Sequence, residues 1–149
     1  MRLIIGVLLL VSAASQVPPP PPPRFAPSEF RDVRMMMANG DKTKEVDVIF
    51  RFGEQKMQLI NTKVRQSYKD LAYADCKSAE YSYSKSPRWK SGLLVSPFLF
   101  LSSGKKHWFM VQGNDDYALV QLDKSNYKLI LAAVEAKSGK KVDTVADSK

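Results

Sequence analysis

The sequence predicts a mainly β domain: a bent antiparallel barrel of six to seven short strands, capped by one C-terminal α-helix. Two observations carry this. Apolar side chains recur at every second position in short runs between Val33 and Leu122, the spacing at which one face of a strand is buried. At Tyr127 the period changes, and Tyr127, Ile130, Leu131 and Val134 fall at i, i+3, i+4 and i+7, one stripe of an amphipathic helix.

The elements follow in order. Val33 to Met37 reads as a weak first strand, and Asn39-Gly40-Asp41 after it is hairpin-turn chemistry. Val46 to Phe52 alternates apolar and polar with Ile49 as the exception. Gly53-Glu54 turns the chain into Met57 to Ile60, giving three short antiparallel strands in a row. Val64 to Tyr68 is expected to be a strand, and Tyr73 to Ser78 a brief turn containing Asp75. Ala79 to Tyr83 alternates again, and Pro87 ends that run because proline is excluded from central ladders. Trp108 to Val111, the turn Gly113 to Asp116 and Tyr117 to Leu122 make a hairpin. The helix is expected over about 125–138, with Ser125 as N-cap, Lys137 in the last turn and Gly139 as the stop. The polar residues 140–149 are expected to fray.

Ahead of this domain, residues 1–15 have the order of a secretory signal peptide: Arg2, the apolar run Leu3 to Val11, and the small residues Ser12 to Ser15. The competing reading is a retained membrane anchor, although a spanning helix takes roughly 20 apolar residues. The expected location is therefore export, to a periplasm or the cell exterior. Residues 16–30 form a proline-rich linker, in which Pro18 to Pro23 are six consecutive prolines. Rings that fix φ and remove N–H donors make such a run a stiff polyproline II rod, a spacer or a ligand for a proline-binding domain. The folded domain occupies 31–139.

The chain carries a net charge of +8, which favours anionic partners. The basic residues are scattered, however, and only Lys105-Lys106 and Lys140-Lys141 are adjacent pairs. Cys76 is the sole cysteine, so no internal disulfide can form, and the residue reads as a small buried hydrophobe.

The stretch from Gly92 to Leu101 contains seven large apolar side chains. Burying them is worth roughly 10–20 kcal/mol gross, against a net stability of about 5–15 kcal/mol for a domain. Something covers them. Either they are core strands divided by Pro97, or the tip inserts into a lipid interface, or a partner sits on them. Lys85, Arg88, Trp89, Lys90, Pro97, Lys105, Lys106 and His107 form the candidate membrane- or partner-binding set, since cations attract anionic headgroups and tryptophan favours the interface.

Catalytic patterns are missing. His107 is the only histidine, and it reads as a surface residue beside two lysines. There is no G-x-S-x-G elbow, zinc set, calcium loop, P-loop or dinucleotide-binding glycine pattern. No enzyme activity, cofactor or metal is expected. Tyr81, Tyr83, Arg88 and Trp89 interleave aromatic and basic groups as single-strand stacking platforms do. Alternation puts Tyr81 and Tyr83 on one face, whose usual home is the core, and no nucleic-acid partner is expected.

The strand order with its closing helix, and the Tyr73-Ala-Asp75-Cys76-Lys-Ser78 corner leading into Glu80-Tyr81, resemble the pleckstrin-homology-like superfamily, in particular its bacterial and GRAM-type members. Cys76 stands where those proteins carry isoleucine or valine. The resemblance implies a non-enzymatic binding or scaffold module. It does not bring phosphoinositide binding, because the first hairpin offers Lys42, Lys44 and Arg51 without paired basic residues on its second strand. A purely structural secreted domain, or a carrier of a small lipophilic ligand, are the alternatives.

Overall fold

The computed structural model describes residues 28–39, 42–85, 87 and 104–146. The leader, the proline run, the Gly40-Asp41 turn and the apolar stretch 92–101 lie outside them, as do Arg88, Trp89, Lys90 and Pro97.

Among the described residues eight strands form one sheet: β1 (Glu29–Asn39), β2 (Lys42–Phe52), β3 (Lys56–Asn61), β4 (Ser67–Ala72), β5 (Ser78–Ser84), β6 (Lys106–Gln112), β7 (Tyr117–Leu122) and β8 (Val142–Thr144). The helix α1 (Tyr127–Ser138) lies between β7 and β8. The spatial order is β4-β3-β2-β1-β7-β6-β5-β8. Every described pairing is antiparallel except β5 with β8. The mainly β class with one closing helix is therefore as the sequence predicts, with one strand more than expected. The sheet does not close into a barrel, because β4 and β8 remain as its two edges.

The sheet nevertheless curls. Phe50 on β2 and Phe109 on β6 are three strands apart, roughly 14 Å on a flat sheet, yet their ring centroids are 6.4 Å apart. Alternation explains which side chains fill the concave face. Val48, Phe50 and Phe52 point inward with Met35, Phe109, Val111 and Val120. Phe52 stacks on Phe50 at 4.6 Å and meets Phe30 edge-on at 5.7 Å. Ile49, the exception to the alternation in β2, is buried on the opposite face and pairs with the equally buried Ile60.

Three elements depart from expectation. β1 begins at Glu29, inside the expected linker, and a bulge between Phe30 and Val33 is set by Asp32 at a left-handed φ of 58°. Val64, expected in a strand, is in a turn and 67% exposed. The Asn61 side chain accepts hydrogen bonds from the backbone N–H groups of Lys63 and Val64, an Asx turn that competes with any ladder, so pairing resumes only at Ser67. The third departure is the C-terminal tail. Val142 to Thr144 pair with Ala79 to Tyr81, and the Val145 N–H donates to the Tyr81 carbonyl at 2.8 Å. Hydrophobic spacing gave no hint of this strand, since three residues are too few to show a period.

α1 closes the concave face through Ile130 and Val134, both fully buried. Its N-cap is Asn126 rather than Ser125. The Asn126 amide accepts from the Asp123 N–H and donates to the Arg31 carbonyl at 2.6 Å, so the helix start is tied to the β1 bulge. Gly139 ends the helix at φ 69° and its N–H donates to the Glu135 carbonyl, the left-handed stop expected of it. Among the described residues no helix is long and apolar enough to cross a membrane.

Candidate functional site

Antiparallel pairing sets Tyr83 on β5 directly opposite His107 on β6. Their rings stack at 4.6 Å. Tyr127, the first residue of α1, covers the other side of the imidazole at 4.2 Å and 16°. Tyr81 lies two residues from Tyr83 and so on the same face of β5. It stacks on Tyr127 at 5.5 Å, and its hydroxyl lies 2.6 Å from His107 Nδ1. Four rings thus converge where β5, β6 and the helix start meet. The anchor from Asn126 to the β1 bulge fixes Tyr127 in that position.

The column is graded in exposure. Tyr81, His107 and Tyr127 are half-buried, while Tyr83 is 56% exposed. Burial pushes the His107 pKa below its usual value, with Asp123 opposing the shift and Lys124 reinforcing it. Burial also raises the Tyr81 hydroxyl to about 12, helped by Tyr127 and Tyr83. Both groups are then neutral near pH 7. With Tyr81 donating, Nδ1 is the acceptor and Nε2 carries the proton. A neutral stack of this kind presents ring faces outward and offers stacking more than charge.

Cations rim it. Lys85 follows β5 and Lys105 is exposed just ahead of β6, both in step with Tyr83 and His107, whereas Lys106 pairs with Ser84 and so alternates to the other face of the sheet. Lys128 lies 5.9 Å from the Tyr127 ring centroid. Of the candidate set read from the sequence, the described residues Lys85, Lys105 and His107 fall in this one corner, and Lys106 lies beside them in the chain but on the other face of the sheet. His107, expected as a surface side chain, is instead a half-buried member of the stack. Tyr127 carried no functional signal in the sequence, because the helical stripe made it core.

A depressed histidine pKa has a definite sign in stability. The unfolded chain binds the His107 proton more readily, so this contribution is complete above about pH 6.5 and is lost as pH falls through the lower folded value. Wild-type protein is expected to lose melting temperature from about pH 7 to about pH 5, and His107→Phe, which keeps a ring in the stack, to flatten that slope. Thermal denaturation across the window reads the difference, and parallel slopes in the two proteins contradict it.

Two further features take less part. A polar cavity of about 580 Å³ opens beside the β1 bulge, lined by Arg31, Asp32, Arg34, Asp47 and Gln121 among others. Charges of both signs meet there, and Arg34 already faces Glu45 and Asp47 at 3.5 Å. Cys76 is buried, and burial pushes its thiol pKa up, which disfavours the reactive thiolate. Among the described residues no three His, Cys, Asp or Glu side chains are grouped to hold a metal ion.

No protein-family model and no curated protein matches the chain. Solved structures do. One, titled "Structure of the Spt16D Pob3N heterodimer", superposes with a TM-score of 0.50 at 10% identity, covering 81% of this chain and 55% of that one. The chain thus spans about half the length of that neighbour. At this identity the likeness speaks for the fold alone. Together with the eight-stranded sheet and its closing helix, it is consistent with a pleckstrin-homology-like fold.

Proposed function

We propose that this chain is an exported, non-enzymatic binding module of the pleckstrin-homology-like type that engages a protein partner through the Tyr83–His107–Tyr127 column. The exposed ring of Tyr83 supports this most directly. It is held flat by His107 behind it, and a large, rigid aromatic surface of this kind is a common anchor in protein interfaces. Membership of the GRAM-type or bacterial branch belongs to the same reading and rests on the Tyr73 to Ser78 corner. The proline run serves as the spacer that holds the module away from whatever lies behind it.

The test places a photo-crosslinking amino acid at Tyr83 in the producing cells, with the same probe at Val64, exposed on a remote turn, as control. The expected result is a discrete crosslinked protein from Tyr83 that is not obtained from Val64 and is lost on His107→Ala. Identical products from both positions refute the reading. Sedimentation with anionic liposomes, weakened by charge reversal at Lys105 and Lys106, would transfer the site to a membrane surface.

A further inference from the structure

The ring column at β5 and β6 has one open end. Tyr127 and His107 cover each other at 4.2 Å, His107 and Tyr83 follow at 4.6 Å, and Tyr83, the last ring, is 56% exposed. His107 backs one face of the Tyr83 ring, so the exposed part is the other face and the edge. The interplanar angles of 16° and 28° at those spacings are the offset stacking that aromatic rings prefer, and they leave room for one more ring in the same series.

The rim of that open face is cationic. Lys85 and Lys105 are exposed and in step with Tyr83 and His107. Lys128 lies 5.9 Å from the Tyr127 ring centroid, and Lys124 acts on the titration of His107. The nearby carboxylates are engaged or turned away. Asp123 accepts from the Ser125 N–H at 2.8 Å and from its hydroxyl at 2.6 Å. Asp143 pairs with Glu80 and so alternates to the other face of the sheet, while Thr144 is the residue beside Tyr81. This rim decides between the two kinds of group that an aromatic face accepts. A cation gains from the ring quadrupole but meets like charge from the lysines, whereas a neutral ring does not. The column itself is uncharged near pH 7, because burial lowers His107 and raises Tyr81 to about 12. Selection for an anion therefore lies with the lysines.

We infer that the partner segment seated on Tyr83 is acidic and aromatic: a flat side chain stacks on the open ring face, and carboxylates beside it in the segment meet Lys85 and Lys105. This rests on the protein-partner reading of the column and specifies its chemistry. Single-stranded nucleic acid shares the stacking and the negative charge, but it takes a groove of cations that tracks its backbone. Here the next cation along β6, Lys106, alternates to the opposite face.

The test uses the full chain and three probes: acetyl-Glu-Asp-Trp-Asp-Glu-amide, the same peptide with alanine for tryptophan, and acetyl-Lys-Lys-Trp-Lys-Lys-amide. The first should give saturable upfield shifts of the Tyr83 and His107 ring resonances, and the other two should not. Tyr83→Ser should weaken its binding roughly tenfold, the upper worth of one stacked aromatic pair. Lys105→Glu should weaken it several-fold, most at low salt. No shift with the first peptide overturns the inference. So does equal binding of the alanine peptide, which needs charge alone, of the basic peptide, which marks a cation–π site, or tighter binding of an oligothymidylate. If Tyr83→Ser disturbs the fold, the wild-type shifts decide, since a peptide held only by the lysines leaves the ring protons in place. A discrete crosslink from Tyr83 in cells without this peptide preference rejects the acidic aromatic chemistry and leaves the protein-partner reading standing. A missing crosslink rejects that reading whatever the peptides do.

Discussion

Phe109→Ala is expected to cost about 3–5 kcal/mol and to lower the melting temperature by on the order of 10–20 °C. Phe109 is fully buried in the middle of β6, paired with Tyr81 on one side and Val120 on the other, and its ring faces Phe50 across the curled sheet. The loss has two parts: the transfer energy of the removed ring, and a cavity that a sheet hydrogen-bonded on both flanks cannot collapse to fill. A domain with a net stability of about 5–15 kcal/mol would be left marginal. Phe109→Leu, which keeps most of the volume, should fall well short of that cost. Chemical denaturation of the two variants gives the comparison, and equal losses would show that Phe109 does not hold the two halves of the sheet together.

Val134→Asp should release the helix from the sheet. Val134 and Ile130 are its two fully buried residues. An unpaired carboxylate at that depth carries a penalty of several kcal/mol, more than the contacts of a twelve-residue helix readily offset. The expected outcome is local before it is global. Amides of Tyr127 to Ser138 and of β8 should lose exchange protection, because β8 is reached only through the helix. Those of β2 and β3 should keep theirs. The Tyr127–His107 stack should dissolve with them, visible as a shift of the His107 ring resonances. Protection that falls uniformly across all strands would show that helix and sheet form one cooperative unit, and would refute a separately detachable cap.

Much of this architecture is legible in the chain. Short runs of period two gave the strands and the change to a period of 3.6 gave the helix, because a side chain's direction follows from the backbone it sits on. Gly139 as the stop could be read for the same local reason: only a residue without a Cβ adopts that φ at no cost. Local rules also explain the errors. At Val64 the apolar pattern pointed to a strand, but the Asn61 side chain captured the two backbone N–H groups first. At Ser125 the capping residue type was present, but Asn126 held the position because its amide reaches Arg31, ninety-five residues earlier.

The candidate site was less legible, since it is made by register. Tyr83, His107 and Tyr127 come from two strands and a helix, and in the sequence Tyr83 and Tyr127 look like core-facing residues and His107 like a surface one. The lysines beside His107 and the aromatic–basic alternation around Tyr81 and Tyr83 marked the corner but not the stack.

The amino-acid sequence by itself settled the alternation of buried and exposed positions, the helix after β7 and its C-terminal end, because these depend on neighbours within a few residues. Only the tertiary structure decided that the sheet stays open between β4 and β8, that three tail residues add a parallel strand, and that His107 is shielded between two tyrosines. Those outcomes depend on which distant segments meet, and pairing between strands is set by the summed packing of the whole sheet, which no local pattern encodes.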